Sequence, residues 1–291
     1  MHIAIIGATG MIGKPVTHEL RKAGFSIRII ARDVAAARRL FPGTEIAAGD
    51  LRTIASLIGP LQGIDTVYLN LSIRQTEKPA DFHTEEQGIV NLIEAAKQAG
   101  VRRIAYLSSM VMRYQDMDGF SWWVFAIKQK AVRLLKASGI PYTIFYPSCF
   151  MESLNTTQRV GRFVLQIDRS SVRPWYIAAE DYGKQVARAF QIARGGQHQE
   201  YVIQGPEAIT QHEAAERFVK AYPTKKLVTL TVPSSLIRLG QLFSAQADYG
   251  WHITKALNGY PEVFEAQQTW TDLGVPQTTV ERFADSASMQ G

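Results

Sequence analysis

The segment "HIAIIGATGMIGKPV" near the N-terminus constrains the fold most strongly. A short apolar run is followed by Gly7, Gly10 and Gly13, spaced three apart, and then by residues that favour a helix. Glycine has no Cβ, so the chain can turn sharply and bring backbone N–H groups close to an anion at the helix N-terminus. The segment therefore predicts a strand–turn–helix unit with an anion-binding loop.

The first 150 residues continue this alternation of short apolar runs and helix-like segments. We predict strands at residues 2–6, 26–31, 45–48, 66–70, 103–108 and 142–146. We predict helices at residues 15–23, 34–40, 54–57, 80–99 and 125–138, two of which are ended by Gly24 and Gly100. This βαβ series is typical of a doubly wound parallel sheet that helices cover on both faces.

The composition changes after residue 147, where a polar, arginine-rich stretch is interrupted by Pro174. Beyond it we predict a helix at 182–193, a strand at 201–204, a helix at 211–221, a strand at 227–232 and helices from 234 onward. We therefore predict an α/β domain at 1–150, to which residues 180–204 return. Residues 151–179 and 205–291 form a smaller C-terminal α/β part for a substrate or partner.

Charge and cysteine content exclude several classes of function. Lysine and arginine exceed acidic residues by 32 − 26 = 6, but the basic residues are scattered, so we expect no direct nucleic-acid binding. Cys149 is the single cysteine, and the six histidines lack zinc-type spacing, so we expect no metal site. No apolar run is long enough for a membrane span and no basic leader precedes the first strand. We expect a cytoplasmic protein.

The second predicted strand ends in "IRIIARD", which places Arg32 where an NAD site carries an acid for the ribose 2′-hydroxyl. An arginine there can bind a 2′-phosphate through charge-assisted hydrogen bonds worth about 1.5–3 kcal/mol. We therefore expect NADP(H) to be preferred over NAD(H) by roughly ten- to a hundredfold. Asp33 argues against this, although as a helix N-cap it would bind backbone N–H groups instead. Arg32 as an ordinary exposed arginine stays open.

Two further strand ends supply candidates for the same ligand. Asp50 and Leu51, in "AAGDLRTIASL", could bind an adenine through a carboxylate and an apolar side chain, although "GDL" is also a common turn. Asn70, Leu71 and Ser72 follow the fourth strand at the carboxyl edge of the sheet, where ligands of open α/β folds bind.

Together these features resemble the NmrA-like, isoflavone reductase-like group of atypical short-chain dehydrogenases. The motifs that carry the resemblance are "GATGMIG", "ARD", "AAGDLRTIASL", "GVRRIAYLSS", "FAIKQKAVRLLKASGIPYTIFYPSCFMESL" and "AAEDYGKQVARAF". It covers residues 1–205 well and the remainder in outline. The resemblance implies a Rossmann-type fold that binds NAD(P)H at the carboxyl edge of the sheet.

The resemblance also implies roles for individual residues. Thr9, Met11 and Ile12 would contact the pyrophosphate, together with Gly7 and Gly10, and Leu71 and Ser72 would lie along the ribose. At the nicotinamide end the implied neighbours are Pro147, Ser148 and Phe150. Ser108 and Tyr146 are further cofactor-binding candidates; Ser108 ends the fifth strand, where a serine could orient a substrate carbonyl or merely cap the strand. Tyr146 departs from the arginine common before this proline in NmrA-like proteins, which puts a substrate contact of that arginine in doubt.

Lys128 is the candidate catalytic residue. It shares one helical stripe with Val124 and Ala131, so it should face inward. Ordinary short-chain dehydrogenases carry a proton-donating tyrosine four residues before this lysine, and here that position is Val124. The resemblance to isoflavone reductase-like enzymes, with their K-x-K-x-x-R pattern, implies that Lys128 donates a proton or holds the nicotinamide ribose. An exposed helix lysine remains a third possibility.

We therefore expect an NADP(H)-dependent oxidoreductase that transfers hydride to a small, mostly apolar carbonyl, quinone or enone. One alternative is an NADP-binding redox sensor of the NmrA type, without turnover and with a protein partner. A less favoured alternative is a nucleotide-sugar epimerase or dehydratase. Neither the substrate nor the oligomeric state follows from the sequence, because a cofactor motif reports the coenzyme alone.

Overall fold

The computed structural model describes residues 1–224, 226–240 and 244–288, apart from the side chains of residues 239, 240 and 288. Its strands, in chain order, are β1 (His2–Ile6), β2 (Ser26–Ala31), β3 (Glu45–Ala48), β4 (Thr66–Leu69), β5 (Arg103–Leu107), β6 (Tyr142–Pro147), β7 (Arg159–Val160), β8 (Phe163–Ile167), β9 (Gln199–Ile203) and β10 (Val228–Val232). Seven of these strands form one sheet and three form another.

The helices alternate with these strands along the chain. They are α1 (Gly13–Lys22), α2 (Val34–Leu40), α3 (Ala55–Leu61), α4 (Gln87–Ala99), α5 (Trp123–Ala137), α6 (Glu152–Asn155), α7 (Ala179–Ile192), α8 (Gln211–Ala221), α9 (Ser234–Gly240), α10 (Ala245–Gly259), α11 (Gln267–Leu273) and α12 (Val280–Ser288). A short 3-10 helix, Val111–Tyr114, precedes α5. No described helix is both long enough and apolar enough to cross a membrane.

The large sheet has the order β3-β2-β1-β4-β5-β6-β9, and all of its strands are parallel. The chain direction across the sheet reverses between β1 and β4, which is the place where open α/β sheets bind ligands. One face of the sheet packs against α3, α4 and α5, and the other packs against α1, α2, α7 and α11. The predicted Rossmann-type doubly wound sheet is confirmed.

The smaller sheet has the order β10-β8-β7, and α8 packs against it. A third apolar cluster lies beneath this part and joins α6, α8 and α12. The arginine-rich stretch after Pro147 thus contains β7 and β8, which we did not predict, because two-residue and half-exposed strands lack a continuous apolar run. The boundaries of the two proposed domains stay a prediction.

The fourth helix differs most from its predicted bounds. It begins at Gln87, and residues 80–86 form turns instead of the first helical turns that we predicted. His83 in this segment is fully buried and its Nδ1 lies 3.0 Å from Glu77 Oε2, while Glu85 turns inward beneath the sheet edge. Buried polar side chains need such partners, so their contacts override the local helix preference.

Candidate functional site

A cavity of about 630 Å³ opens at the carboxyl ends of β1, β2 and β4, at the point where the strand order reverses. Seven of the residues that we predicted to bind cofactor line it: Gly7, Thr9, Arg32, Asp50, Leu51, Leu71 and Ser72. Its walls also include parts of the segment between β4 and α4, among them Arg74, Glu77, Phe82 and Thr84. The cavity is large enough for a ligand of cofactor size.

The glycine loop forms the floor of this cavity. Gly7 has φ +95°, and a Cβ built there would lie 2.1 Å from the carbonyl oxygen of Asn70. A Cβ on Gly13 would lie 2.0 Å from the carbonyl oxygen of Gly7. Helix α1 starts at Gly13 without a side-chain cap and without an acidic residue in its first turn. The loop therefore offers a helix N-terminus to an anionic group, as a pyrophosphate requires.

Two buried polar atoms near this loop lack a hydrogen-bond partner among the described residues. They are Nδ2 of Asn70, which follows β4, and Oγ1 of Thr84, which belongs to the cavity wall. Buried donors are normally satisfied, and an unsatisfied one commonly indicates a ligand or an ordered water. Thr84 Oγ1 is therefore consistent with a polar ligand in the cavity, whereas Asn70 does not line it.

Charged side chains of both signs line the cavity beside the ends of β2 and β3. Arg32 is exposed on the cavity wall and forms no ion pair in the described part of the chain. Asp33 caps α2, where its carboxylate accepts a hydrogen bond from the backbone N–H of Ala36 at 2.8 Å. The predicted N-cap role of Asp33 is thus confirmed, but Asp33 also lines the cavity beside Arg32, so the preference for NADP(H) over NAD(H) stays a prediction. Arg52, which sequence reasoning missed, also lines the cavity and lies over the ring of Phe82 at 5.3 Å.

Asp50 and Leu51 lie on the cavity wall, and each already accepts a hydrogen bond from another residue of the protein. One carboxylate oxygen of Asp50 accepts the backbone N–H of Arg52 at 2.9 Å. The carbonyl of Leu51 accepts a hydrogen bond from Asn91 Nδ2 at 2.7 Å, and its side chain is buried. The second carboxylate oxygen and the apolar side chain remain the features that an adenine would contact, so this role stays a prediction.

Lys128 does not line the cavity, but it is hydrogen-bonded to Ser72, which does. Its Nζ donates to Ser72 Oγ at 3.1 Å and to Glu85 Oε1 at 2.7 Å, and the lysine is buried, as the helical stripe predicted. The hydroxyl of Tyr106 also donates to Glu85 Oε1, and the backbone N–H of Ile73 donates to Glu85 Oε2 at 2.9 Å. Lys128 is therefore a buried ammonium that is paired with a carboxylate and reaches the cavity through Ser72.

The charge of Glu85 affects two tyrosines around this network. Burial and the neighbouring carboxylate raise the pKa of Tyr106 well above its ordinary value. Burial, with a smaller contribution from Glu85, raises the pKa of Tyr249 on α10 to about 12. Both phenols stay protonated, and therefore neutral, at neutral pH, and Lys128 is the cationic partner of Glu85.

The other predicted residues lie at the same sheet edge but outside the cavity wall. Gly10, Met11 and Ile12 complete the glycine loop, and Met11 is exposed. Ser108 follows β5, and its Oγ contacts the sulfur of Met112 at 3.5 Å. The residues at the end of β6 are Tyr146, Pro147, Ser148 and Phe150, which lie beyond β5 from the cavity. The structure therefore gathers seven of the candidates around the cavity and leaves the others outside it, and the cofactor-binding roles of all of them stay predictions.

Two of these β6 residues have partners that we did not predict. The hydroxyl of Tyr146 donates to Glu200 Oε2 on β9 at 2.7 Å, and Ser148 Oγ donates to Glu262 Oε2 at 2.8 Å. Glu85 and Glu262 are thus functional candidates that sequence reasoning missed. A buried lysine requires an anionic partner, which is a signal that could have directed attention to the acidic pair at residues 85 and 86.

Comparison with known proteins agrees with this arrangement. A family model described as the NmrA-like family matches residues 1–281 of the 291-residue chain. The chain belongs to the NmrA-like family. The resemblance inferred from the glycine loop and the "GDL" and "SGIPYT" motifs is therefore confirmed, and it extends through the C-terminal part that the motifs covered only in outline.

Two relatives of this NmrA-like protein are named as reductases. It is 28% identical over 218 residues to the NAD(P)H azoreductase of Xenophilus azovorans, a match covering 73% of this chain and 71% of the relative. It is 30% identical over 218 residues to the (4-alkanoyl-5-oxo-2,5-dihydrofuran-3-yl)methyl phosphate reductase of Streptomyces griseus, covering 72% and 70%. The NADPH-dependent quinone oxidoreductase of Escherichia coli, solved with NADPH, shares the fold with TM-score 0.74 and 24% identity over 99% of each chain.

Proposed function

We propose that this NmrA-like protein is an NADP(H)-dependent oxidoreductase that reduces a small, mostly apolar carbonyl, quinone or enone. The observation that carries the proposal is the cavity at the switch point of the sheet, the place between β1 and β4 where the strand order reverses. Both the anion-binding glycine loop and the unpaired Arg32 line this cavity. The reductase names of the two relatives support the same class of reaction. When bound, the cofactor would supply the hydride.

The residues of the chain would then bind and orient the cofactor. The glycine loop and the start of α1 would hold the pyrophosphate. Arg32 would bind the 2′-phosphate, with Arg52 as a second nearby cation. NADP(H) would therefore be preferred over NAD(H).

Lys128 and Ser72 would hold the nicotinamide ribose. Of the two roles considered for Lys128, anchoring agrees better with its contacts than proton donation does. If the ammonium gave its proton away, the buried carboxylate of Glu85 would lose its counter-charge, which is costly in a dry environment. Lys128 would then act as a fixed cation that orients the ribose hydroxyls and adds positive potential near the reacting end of the cofactor.

The proposal is tested by following NADPH oxidation with a panel of quinones, enones and aldehydes. Wild-type protein is expected to oxidise NADPH with at least one acceptor. Arg32→Ala should raise the KM for NADPH and leave kcat near the wild-type value, since a contact made equally in ground and transition states changes binding alone. Arg39→Ala removes an exposed arginine that does not line the cavity and serves as the matched control.

A redox sensor without turnover is the second candidate. The observation that favours it is the replacement of the usual proton-donating tyrosine by Val124, which is buried in the core. In that case NADPH would bind tightly, and no acceptor of the panel would be reduced. A partner protein would then be sought, whereas turnover with any acceptor would exclude this candidate.

A further inference from the structure

Reduction of a carbonyl or quinone by hydride requires a proton for the oxygen, and the paired Lys128 is poorly suited to give one. The carboxyl end of β6 carries another acid. Residues 260–266 connect α10 to α11 and cross the ends of β6 and β9, where Gln204 Oε1 accepts the backbone N–H groups of Glu265 and Ala266. This connection brings the side chain of Glu262 to the end of β6.

The carboxyl group of Glu262 is held in place by neutral donors. Its Oε2 accepts from Ser148 Oγ at 2.8 Å. Its Oε1 accepts from Gln204 Nε2 at 2.9 Å and from the backbone N–H of Trp175 at 3.2 Å. Ser148 Oγ itself accepts the backbone N–H of Trp175 at 3.1 Å, so its orientation is defined on both sides. The position of this carboxyl group is therefore set independently of any ion pair.

Glu262 and Ser148 border a second cavity of about 20 Å³. A cavity of this size holds one water molecule, or one oxygen atom of a larger ligand. Its remaining walls are largely apolar and include Val111, Val172 and Leu257. Because Ser148 directly follows Pro147, this cavity lies beside the residues expected to border the nicotinamide.

The surroundings of Glu262 disfavour its ionised form. Among the described residues it forms no ion pair, and the nearby cation Arg113 binds both carboxylate oxygens of Glu265, at 2.8 and 2.9 Å. Arg113 also hydrogen-bonds Tyr260. Burial, with a smaller contribution from Glu265, raises the pKa of Glu262 in spite of the three hydrogen bonds it accepts.

The remaining titratable neighbours do not change this conclusion. Cys149 borders the same cavity and Tyr176 lies close to it, and burial raises the pKa of each, so both are neutral at ordinary pH. A partly buried carboxyl group without a cationic partner, bordering a cavity beside the residues expected to contact the nicotinamide, matches the environment of known general acids.

We propose that the carboxyl group of Glu262 is the proton donor for the substrate oxygen, and that this oxygen lodges in the small cavity beside Ser148. This inference rests on the proposed function. As hydride from the cofactor forms the new C–H bond, the C=O π electrons move to oxygen, which takes the proton from Glu262. With a carbonyl, the products are an alcohol, the oxidised cofactor and the Glu262 carboxylate, which water reprotonates. With a quinone, hydride instead forms the new O–H bond at one oxygen, the ring aromatises, and the other oxygen takes the proton from Glu262, which gives the hydroquinone.

The first test compares acceptors that need a proton with one that does not. A quinone requires hydride and a proton, whereas a triarylmethyl cation is reduced by hydride alone. Glu262→Gln is expected to lower kcat for the quinone by about 10²- to 10⁴-fold, to leave dye reduction near the wild-type rate and to leave NADPH affinity unchanged. Glu94→Gln, which removes an exposed carboxylate of α4 that borders neither cavity, is the matched control and should retain both activities.

Two kinetic outcomes would overturn the proposal. One is an unchanged kcat for the quinone in Glu262→Gln. The other is an equal loss with quinone and dye, because Glu262 would then only hold the 260–266 connection in place. Absence of turnover in the wild type would instead count against the proposed function, and the second test decides on Glu262 in that case.

The second test measures the protonation of Glu262 without turnover. Infrared spectra of the protein near neutral pH are compared for wild type, Glu262→Gln and Glu94→Gln in the region where a protonated carboxyl group absorbs. The Glu262→Gln variant is expected to lose part of this band, and Glu94→Gln should retain it, since Glu94 is exposed and lies away from Glu262. If the band is the same in all three proteins, Glu262 is ionised and cannot be the donor.

Discussion

The pairing of Lys128 with Glu85 predicts a large stability cost for removing either charge. The Glu85 side chain has no exposed surface and that of Lys128 is 8% exposed, so neither remaining charge could be hydrated in place. Removal of one partner of a buried pair typically costs about 3–5 kcal/mol. We expect Lys128→Met and Glu85→Gln each to lower the free energy of unfolding by about that amount.

The double variant should cost much less than the sum of the two single variants. Methionine keeps the length of the lysine stem, and glutamine can still accept the hydrogen bond from Ile73. The difference between the sum and the double variant is the coupling energy, for which we expect about 2–3 kcal/mol. Equilibrium unfolding in urea gives all four free energies of the cycle.

A second ion pair between the same two segments provides the control. Lys130 Nζ lies 2.7 Å from Glu86 Oε1, the same distance that separates Lys128 Nζ from Glu85 Oε1. The side chains of Lys130 and Glu86, however, are 49% and 23% exposed. Exposed pairs typically contribute about 0–1 kcal/mol, so the Lys130–Glu86 cycle should show a small coupling. If the two cycles gave equal coupling energies, the account of Lys128 as a buried, charge-compensated group would be refuted.

Two further predictions concern the glycine loop and a buried acid. Gly13→Ala should abolish NADPH binding and destabilise the protein by about 1–3 kcal/mol, measured by thermal unfolding, because the new Cβ would lie 2.0 Å from a backbone oxygen. Gly10→Ala is the control and should fold normally in the same assay, because the nearest atom to its new Cβ is 3.4 Å away. Burial raises the pKa of Glu152 to about 7 from 4.5, so the stability that its neutral form contributes is present below about pH 4.5 and is lost as the pH rises through about 7. Glu152→Gln should therefore become more stable than wild type as the pH rises over that range, and a stability difference that does not vary with pH would contradict the assignment.

The parts of this protein that could be predicted from sequence depend on local patterns. The strand that ends at Ile6, the glycine turn and the helix that begins at Gly13 lie within one short segment. The location of Arg32 at the sheet edge follows from its place directly after β2. The inward orientation of Lys128 follows from helical periodicity alone. These features need no knowledge of how distant segments meet.

The parts that could not be predicted depend on distant segments. Glu85 meets Lys128 across 43 residues, and Glu262 meets Ser148 across 114. Neither acid belongs to a local motif, and a glutamate outside a motif is usually a surface residue. The same is true of β7 and β8, whose pairing with each other and with β10 compensates for their weak apolar pattern.

The central claim is that the cavity at the switch point binds NADP(H). It is tested most directly by calorimetric titration of cofactor-free protein, first with NADPH and then with NADH. Low ionic strength is used because it screens charge effects least. The account predicts that wild-type protein and Arg39→Ala bind NADPH about ten to a hundred times more tightly than NADH, and that Arg32→Ala loses this preference. Failure of both nucleotides to bind, or an Arg32→Ala variant that keeps the wild-type preference, would contradict it.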